Sequence, residues 1–102
     1  MTNMDQNTLI ERLLAMTLAI EHAATMANWQ EAARVTEERS PLFAHLTKEQ
    51  DAVSMQKINR IRAIDAVVAA DAKTTQVELQ VEYNDMMRKA QSASKYLQGA
   101  RL

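Results

Sequence analysis

Two histidines, His22 and His45, are the first residues to weigh for chemistry, because imidazole is the commonest metal ligand and general base. They are far apart in sequence and fall on different segments, with no His-Glu-x-x-His pattern and no Glu-x-x-His pair around either. The chain has no cysteine, which excludes disulfides, thiolate nucleophiles and thiolate metal sites. No Gly-rich phosphate loop occurs and no serine lies in a nucleophile elbow. Asp65 and Asp71 are carboxylates on one helical stretch, but six residues apart they do not face one another. The expectation is a protein that is not an enzyme and has no metal site and no cofactor. Asp65 stands out because it lies inside an apolar arc, between Ile61 and Val68, where a carboxylate must be paired or reach solvent. The simple reading is a structural contact with an arginine such as Arg39 or with a helix end; the sharper one is a charge that binds a partner.

The element carrying Asp65 is the centre of the chain. Residues 51–97 contain no Gly and no Pro, and helix formers dominate. Ile58, Ile61, Val68, Ala72, Thr75, Leu79, Met86, Ala90, Ala93 and Leu97 recur at steps of three, four or seven, which keeps them within one arc of a helix. Unbroken, that helix is roughly 70 Å long. It cannot bury its stripe on itself, so it needs shorter helices laid along it. The first half of the chain supplies two. Ile10, Leu13, Leu14, Thr17, Ile20, Ala24 and Ala27 mark one face of a helix over 8–27, capped by Asn7 or Thr8 with Glu11 near the first turn. Trp29, Ala32, Ala33, Val35, Thr36, Leu42, Phe43 and Leu46 mark a second over 29–46, entered through Asn28. Pro41 must kink it or break it briefly near Arg39; resumption of the apolar pattern at Leu42 favours the kink. Thr47 offers a cap for the short polar turn into the third helix. Both flanking helices are much shorter than the third, so one end of it must protrude or find a partner unless they stagger along it.

The fold expected is therefore all-α, an antiparallel bundle of three helices with a long third helix, as one domain of 102 residues. A hydrophobic fraction of 47% with only 4% aromatic makes the core aliphatic, and one Gly and one Pro leave little turn chemistry for a sheet. Trp29 reads as a core plug at the first corner. The net charge of −1 provides no electrostatic footprint for nucleic acid or an anionic membrane. No apolar run approaches the roughly 20 residues that span a bilayer. A polar start unlike a signal peptide makes a cytoplasmic protein the expectation.

A second stripe on the third helix, Ala63, Val67, Ala70, Thr74, Val77 and Val81, lies roughly opposite the first with no charge interrupting it. It is either an Ala-rich exposed face or a surface for a partner. Helices that arrive by short turns cover only the main arc, so Ala63, Val67, Ala70, Val77 and Val81 are expected to be exposed and to take a client helix or a second copy of the chain. The adjacent Met86 and Met87 point over a wide angle and offer an adaptable surface.

Taken in order, Asn28-Trp29-Gln30-Glu31, then Glu37-Glu38-Arg39 with Leu42 and Leu46, then Ile58, Ile61, Ile64-Asp65 and Leu79 resemble the FliT-type flagellar export chaperones over about residues 8–97. Pro41 departs from the family's continuous second helix, and the ending Met87-Arg88-Lys89-Ala90 with Lys95-Tyr96 matches only loosely. The autoinhibition that a further C-terminal helix provides in some members is not carried over. The resemblance implies binding of the filament-cap protein FliD in the cytoplasm and its delivery to the export gate. It also implies contacts with export-ATPase components and, in some bacteria, with the flagellar master regulator. The alternatives are a self-assembling helical structural component, or a small regulator binding a flagellar transcription factor.

Overall fold

A computed structural model describes residues 5–100. Among them are three α-helices, α1 (Gln6–Thr25), α2 (Trp29–Arg39) and α3 (Ala52–Ala100), a 3-10 helix (Ser40–His45) between α2 and α3, and no strand. The chain divides between Ala72 and Lys73 into two compact units.

In the first unit the contacts set the helix directions. Leu9 and Leu13 of α1 pack with Ile61 of α3 and with Leu42, Phe43 and Leu46. Ile20 and Ala23 pack with Ala32 and Val35 of α2, with Trp29 and Val68 against them. The start of α1 thus meets the far end of α2 and the early part of α3. Its end meets the start of α2 and a later turn of α3. Helices α1 and α3 run the same way and α2 runs against both, the up-down-up order of an antiparallel bundle. The steps 13, 17, 20 on α1 and 61, 65, 68 on α3 put a polar pair, Thr17 and Asp65, between the two apolar clusters.

Several local details differ from the sequence reading. α1 starts earlier, with Asp5 as its cap residue rather than Asn7 or Thr8, and Glu11 is not in its first turn but pairs with Lys57 of α3. Its seam is Leu9, Ile10, Leu13, Thr17, Ile20 and Ala23, because the helix ends at Thr25 and leaves Ala27 in the corner. There Ala27 takes a φ of 57°, while the amides of Ala27 and Asn28 donate to the carbonyls of Ala24 and Ala23 at 3.0 and 2.8 Å. This is a Schellman ending with alanine in the left-handed position usually held by glycine. Asn28 then caps α2 as expected, its side chain accepting from the Glu31 amide at 3.2 Å.

The second helix does not run to residue 46. It ends at Arg39, and Ser40–His45 continues as a 3-10 helix with Pro41 in its first turn. Pro41 has no amide to extend the α-helical ladder and its ring crowds the carbonyl of Glu37, whereas the first turn of a new helix accepts it. The tighter winding still turns Leu42 and Phe43 onto the Leu9–Leu13 cluster, which is why the apolar pattern continues in sequence past the end of α2.

Thr47 does not cap α3. It accepts from the Gln50 side chain, and its amide donates to Gln6, so it ties the connection to α1. Asp51 is the cap, its Oδ1 accepting from the Ser54 amide at 2.8 Å. That hydrogen bond holds the Asp51 carboxyl below its ordinary range, with the Ser54 hydroxyl and Lys57 acting in the same direction. The folded value is depressed, so this contribution is complete above the unfolded carboxylate value of about 3.9 and is lost as pH falls below it. Acid titration followed by circular dichroism should show Asp51→Asn losing less stability than the parent over that window, because asparagine caps without titrating.

Candidate functional site

Three helices of the first unit line an apolar groove of about 500 Å³. Ala33, Thr36 and Glu37 of α2 form one wall and Val68, Ala69 and Ala72 of α3 the other, with Ile20 and Ala32 beneath. Trp29 lines the groove toward Ala72; Arg39 and Asp65 line its opposite end. The small residues at 33, 69 and 72 keep the walls low, so a helix laid in the groove could approach both backbones. The Thr36 hydroxyl donates to the Ala32 carbonyl at 2.7 Å, which satisfies it within its own helix.

The polar end is built from a buried arginine. Arg39 is 7% exposed and donates from Nη1 to Asp65 Oδ1 at 2.8 Å and to Thr17 Oγ1 at 2.7 Å. The Thr17 hydroxyl in turn donates to the Leu13 carbonyl. The guanidinium carbon lies 5.0 Å from the Phe43 ring centroid, within cation–π range. The structural reading of Asp65 is therefore the one observed: a carboxylate in an apolar arc, paired with Arg39. On the outer face of α2, Arg34 bonds both Glu31 and Glu38, and its hydrogen bond holds the Glu31 carboxyl below its ordinary range.

Trp29 is half-buried, not a core plug. One part of it packs on the Ile20–Val35 cluster and another lines the groove, so it links core and surface. His22 and His45 are both exposed, on α1 and on the 3-10 helix, and no group of three potential metal ligands occurs among the described residues.

The second stripe is exposed where its residues fall. In the first unit Ala63, Val67 and Ala70 face solvent, and in the second so do Val77 and Val81, with the three valines each more than half exposed. The main stripe departs from expectation. Ile61 is buried and Ile58, Val68 and Thr75 are half-buried, but Ala72 and every residue of 76–99 are exposed, Leu79, Met86 and Leu97 included. Only the turns of α3 that α1 and α2 reach have their stripe covered. Sequence reasoning placed Ala72 in the covered arc and did not find the groove. The available signal was the pairing of small residues, Ala33 and Thr36 on one helix with Ala69 and Ala72 on the other.

A family model described as flagellar protein FliT matches residues 7–98. The chain belongs to the FliT flagellar protein family. The match spans all three helices, so the FliT resemblance read from Trp29, the acidic-Arg run and the Ile61-to-Asp65 pattern extends over the whole bundle. Neither the curated proteins nor the solved structures compared with the chain gave a match. Among the described residues of this FliT chain, no helix is long and apolar enough to cross a membrane.

Proposed function

We propose that the protein is a cytoplasmic flagellar export chaperone that binds the filament-cap protein FliD, keeps it unassembled and delivers it to the export apparatus. The observation that carries this reading is the apolar groove between α2 and α3, in a chain of the FliT family. A chaperone of this kind needs a stable bundle and an apolar trough for the apolar face of a client helix. The groove has alanine walls, Trp29 to anchor an inserted side chain, and Glu37 to attract a basic residue of the client. Further partner contacts fall to the exposed valine and alanine faces: Ala63, Val67 and Ala70 of the first unit, Val77 and Val81 of the second. Export-ATPase components and the flagellar master regulator are the further partners that the family suggests, and a client helix or a second copy of the chain is the occupant expected for these faces.

Titration calorimetry with purified FliD tests the reading. Ala69→Glu should keep the helicity of the parent and weaken FliD binding at least about tenfold, because the new charge would be desolvated under the client. Val77→Asp with Val81→Asp should leave thermal stability within about half a kcal/mol, as exposed changes do, and weaken binding of whichever partner that face takes. Failure of the parent to bind FliD overturns the client assignment. Undiminished binding by Ala69→Glu moves the client off the groove.

A further inference from the structure

The acids of α2 are not equivalent. Arg34 holds Glu31 and Glu38 on the outer face, whereas Glu37 lines the groove, exposed, and takes part in no ion pair among the described residues. Asp65 on the other wall gives Oδ1 to Arg39 but keeps its side chain 35% exposed. Arg39 does not answer Glu37. Its Nη1 bonds Asp65 and Thr17, and its Nε is buried without a partner. Two carboxylates and one guanidinium therefore line the groove, a net charge of −1 among side chains that are otherwise apolar except for Thr36.

A client helix that fills the groove strips water from Glu37 and from the exposed edge of Asp65. An apolar side chain there would leave Glu37 charged, covered and unpaired, which costs far more than leaving it in water. A client carboxylate would add repulsion. A cation offsets the cost with charge-assisted hydrogen bonds. The other end of the groove, at Trp29 and Ala72, suits an apolar side chain. Asp65 and Ala72 are seven residues apart on α3, about 10 Å at 1.5 Å per residue, or two turns of a client helix lying along it. We infer that Glu37 and Asp65 determine the specificity of the groove: they admit a client helix with a lysine or arginine two turns from the apolar side chain seated on Trp29 and Ala72, and reject one without that cation. The inference rests on the groove being the client site and adds the sequence pattern that the site selects.

Titration calorimetry with purified FliD tests it, with Asp65 left in place because Arg39 depends on it. Glu37→Lys turns the net charge of the groove from −1 to +1. It should keep the helicity of the parent and raise the Kd at least about tenfold. Glu38→Lys makes the same change of charge on the outer face and should stay within about twofold. Hydrogen exchange in the complex locates the protected segment of FliD, and each Lys and Arg in that segment is changed singly to Glu. One of these FliD variants should bind the parent at least about tenfold more weakly and recover to within about threefold with Glu37→Lys, the coupling of a direct contact. Its basic residue should lie seven positions from an apolar residue of the same segment. The inference is overturned if Glu37→Lys binds like the parent, if Glu38→Lys weakens binding as much, if no FliD variant recovers, or if the recovering residue has no apolar residue at that spacing. Ala69→Glu separates this from failure of the groove reading. If Ala69→Glu loses binding and Glu37→Lys does not, the groove holds the client without this selection; if neither loses it, the client lies elsewhere and both readings fall.

Discussion

Asp65→Ala is expected to lower the unfolding free energy by about 3 kcal/mol in urea denaturation at neutral pH, the low end of what breaking a buried ion pair costs. The reason lies with the residue left behind. Arg39 has a side chain 9% exposed, against 35% for Asp65, so its charge stays buried when the carboxylate goes. Thr17 is a weak substitute, being a neutral acceptor already engaged with the Leu13 carbonyl. Arg39 Nε is buried with no partner even in the intact pair, so the arrangement carries an uncompensated polar group from the start. Removing the charge altogether should therefore be mild. Arg39→Met with Asp65→Leu keeps the volume and discards the desolvation, and is expected within about 1 kcal/mol of the parent or above it. Were Asp65→Ala to fall within half a kcal/mol of the parent, Arg39 would be reaching water and the buried-pair description would be wrong. The pair's contribution is to register. A one-turn slip of α3 along α2 would set Arg39 opposite Ile61 or Val68, with no carboxylate in reach.

Leu13→Ala should cost about 3–4 kcal/mol, the middle of the range for fully buried leucines. Leu13 is 0% exposed and lies where α1, α3 and the 3-10 helix converge, packed with Leu9 and Ile61 and flanked by Leu42 and Phe43. Its neighbours are held by three separate backbones, so they cannot all collapse into the space left behind, and the cavity term adds to the transfer term. Met26→Ala is the control. That side chain is 67% exposed at the end of α1, and its loss should shift stability by about half a kcal/mol or less. Equal losses from the two would mean that burial does not rank the stability of this bundle.

Much of this molecule is determined by local pattern. The absence of Gly and Pro across 51–97 leaves no reason for α3 to break, and it does not. Asn28 is a good cap with an acidic first turn behind it, and α2 begins after it. Asp65 inside an apolar arc demands a counter-ion, and the arginine named for it in sequence is the one that binds it. Each of these follows from interactions within a few residues, or from the cost of an unpaired buried charge.

Other features depend on what packs against what. Apolar periodicity reports the face a helix could bury, not how far its neighbours reach. Leu79, Met86 and Leu97 have the same periodicity as Ile61 and Val68, yet are exposed. Leu42 and Phe43 continue the helix 2 pattern in sequence, but they reach the core through a 3-10 turn that relieves Pro41. The groove was least legible of all. Its walls are mostly small residues, which have no distinctive periodicity, and its lining is drawn from α2 and α3 together with Ile20 of α1. A concavity shared by three helices is a property of their packing, and no single helix encodes it.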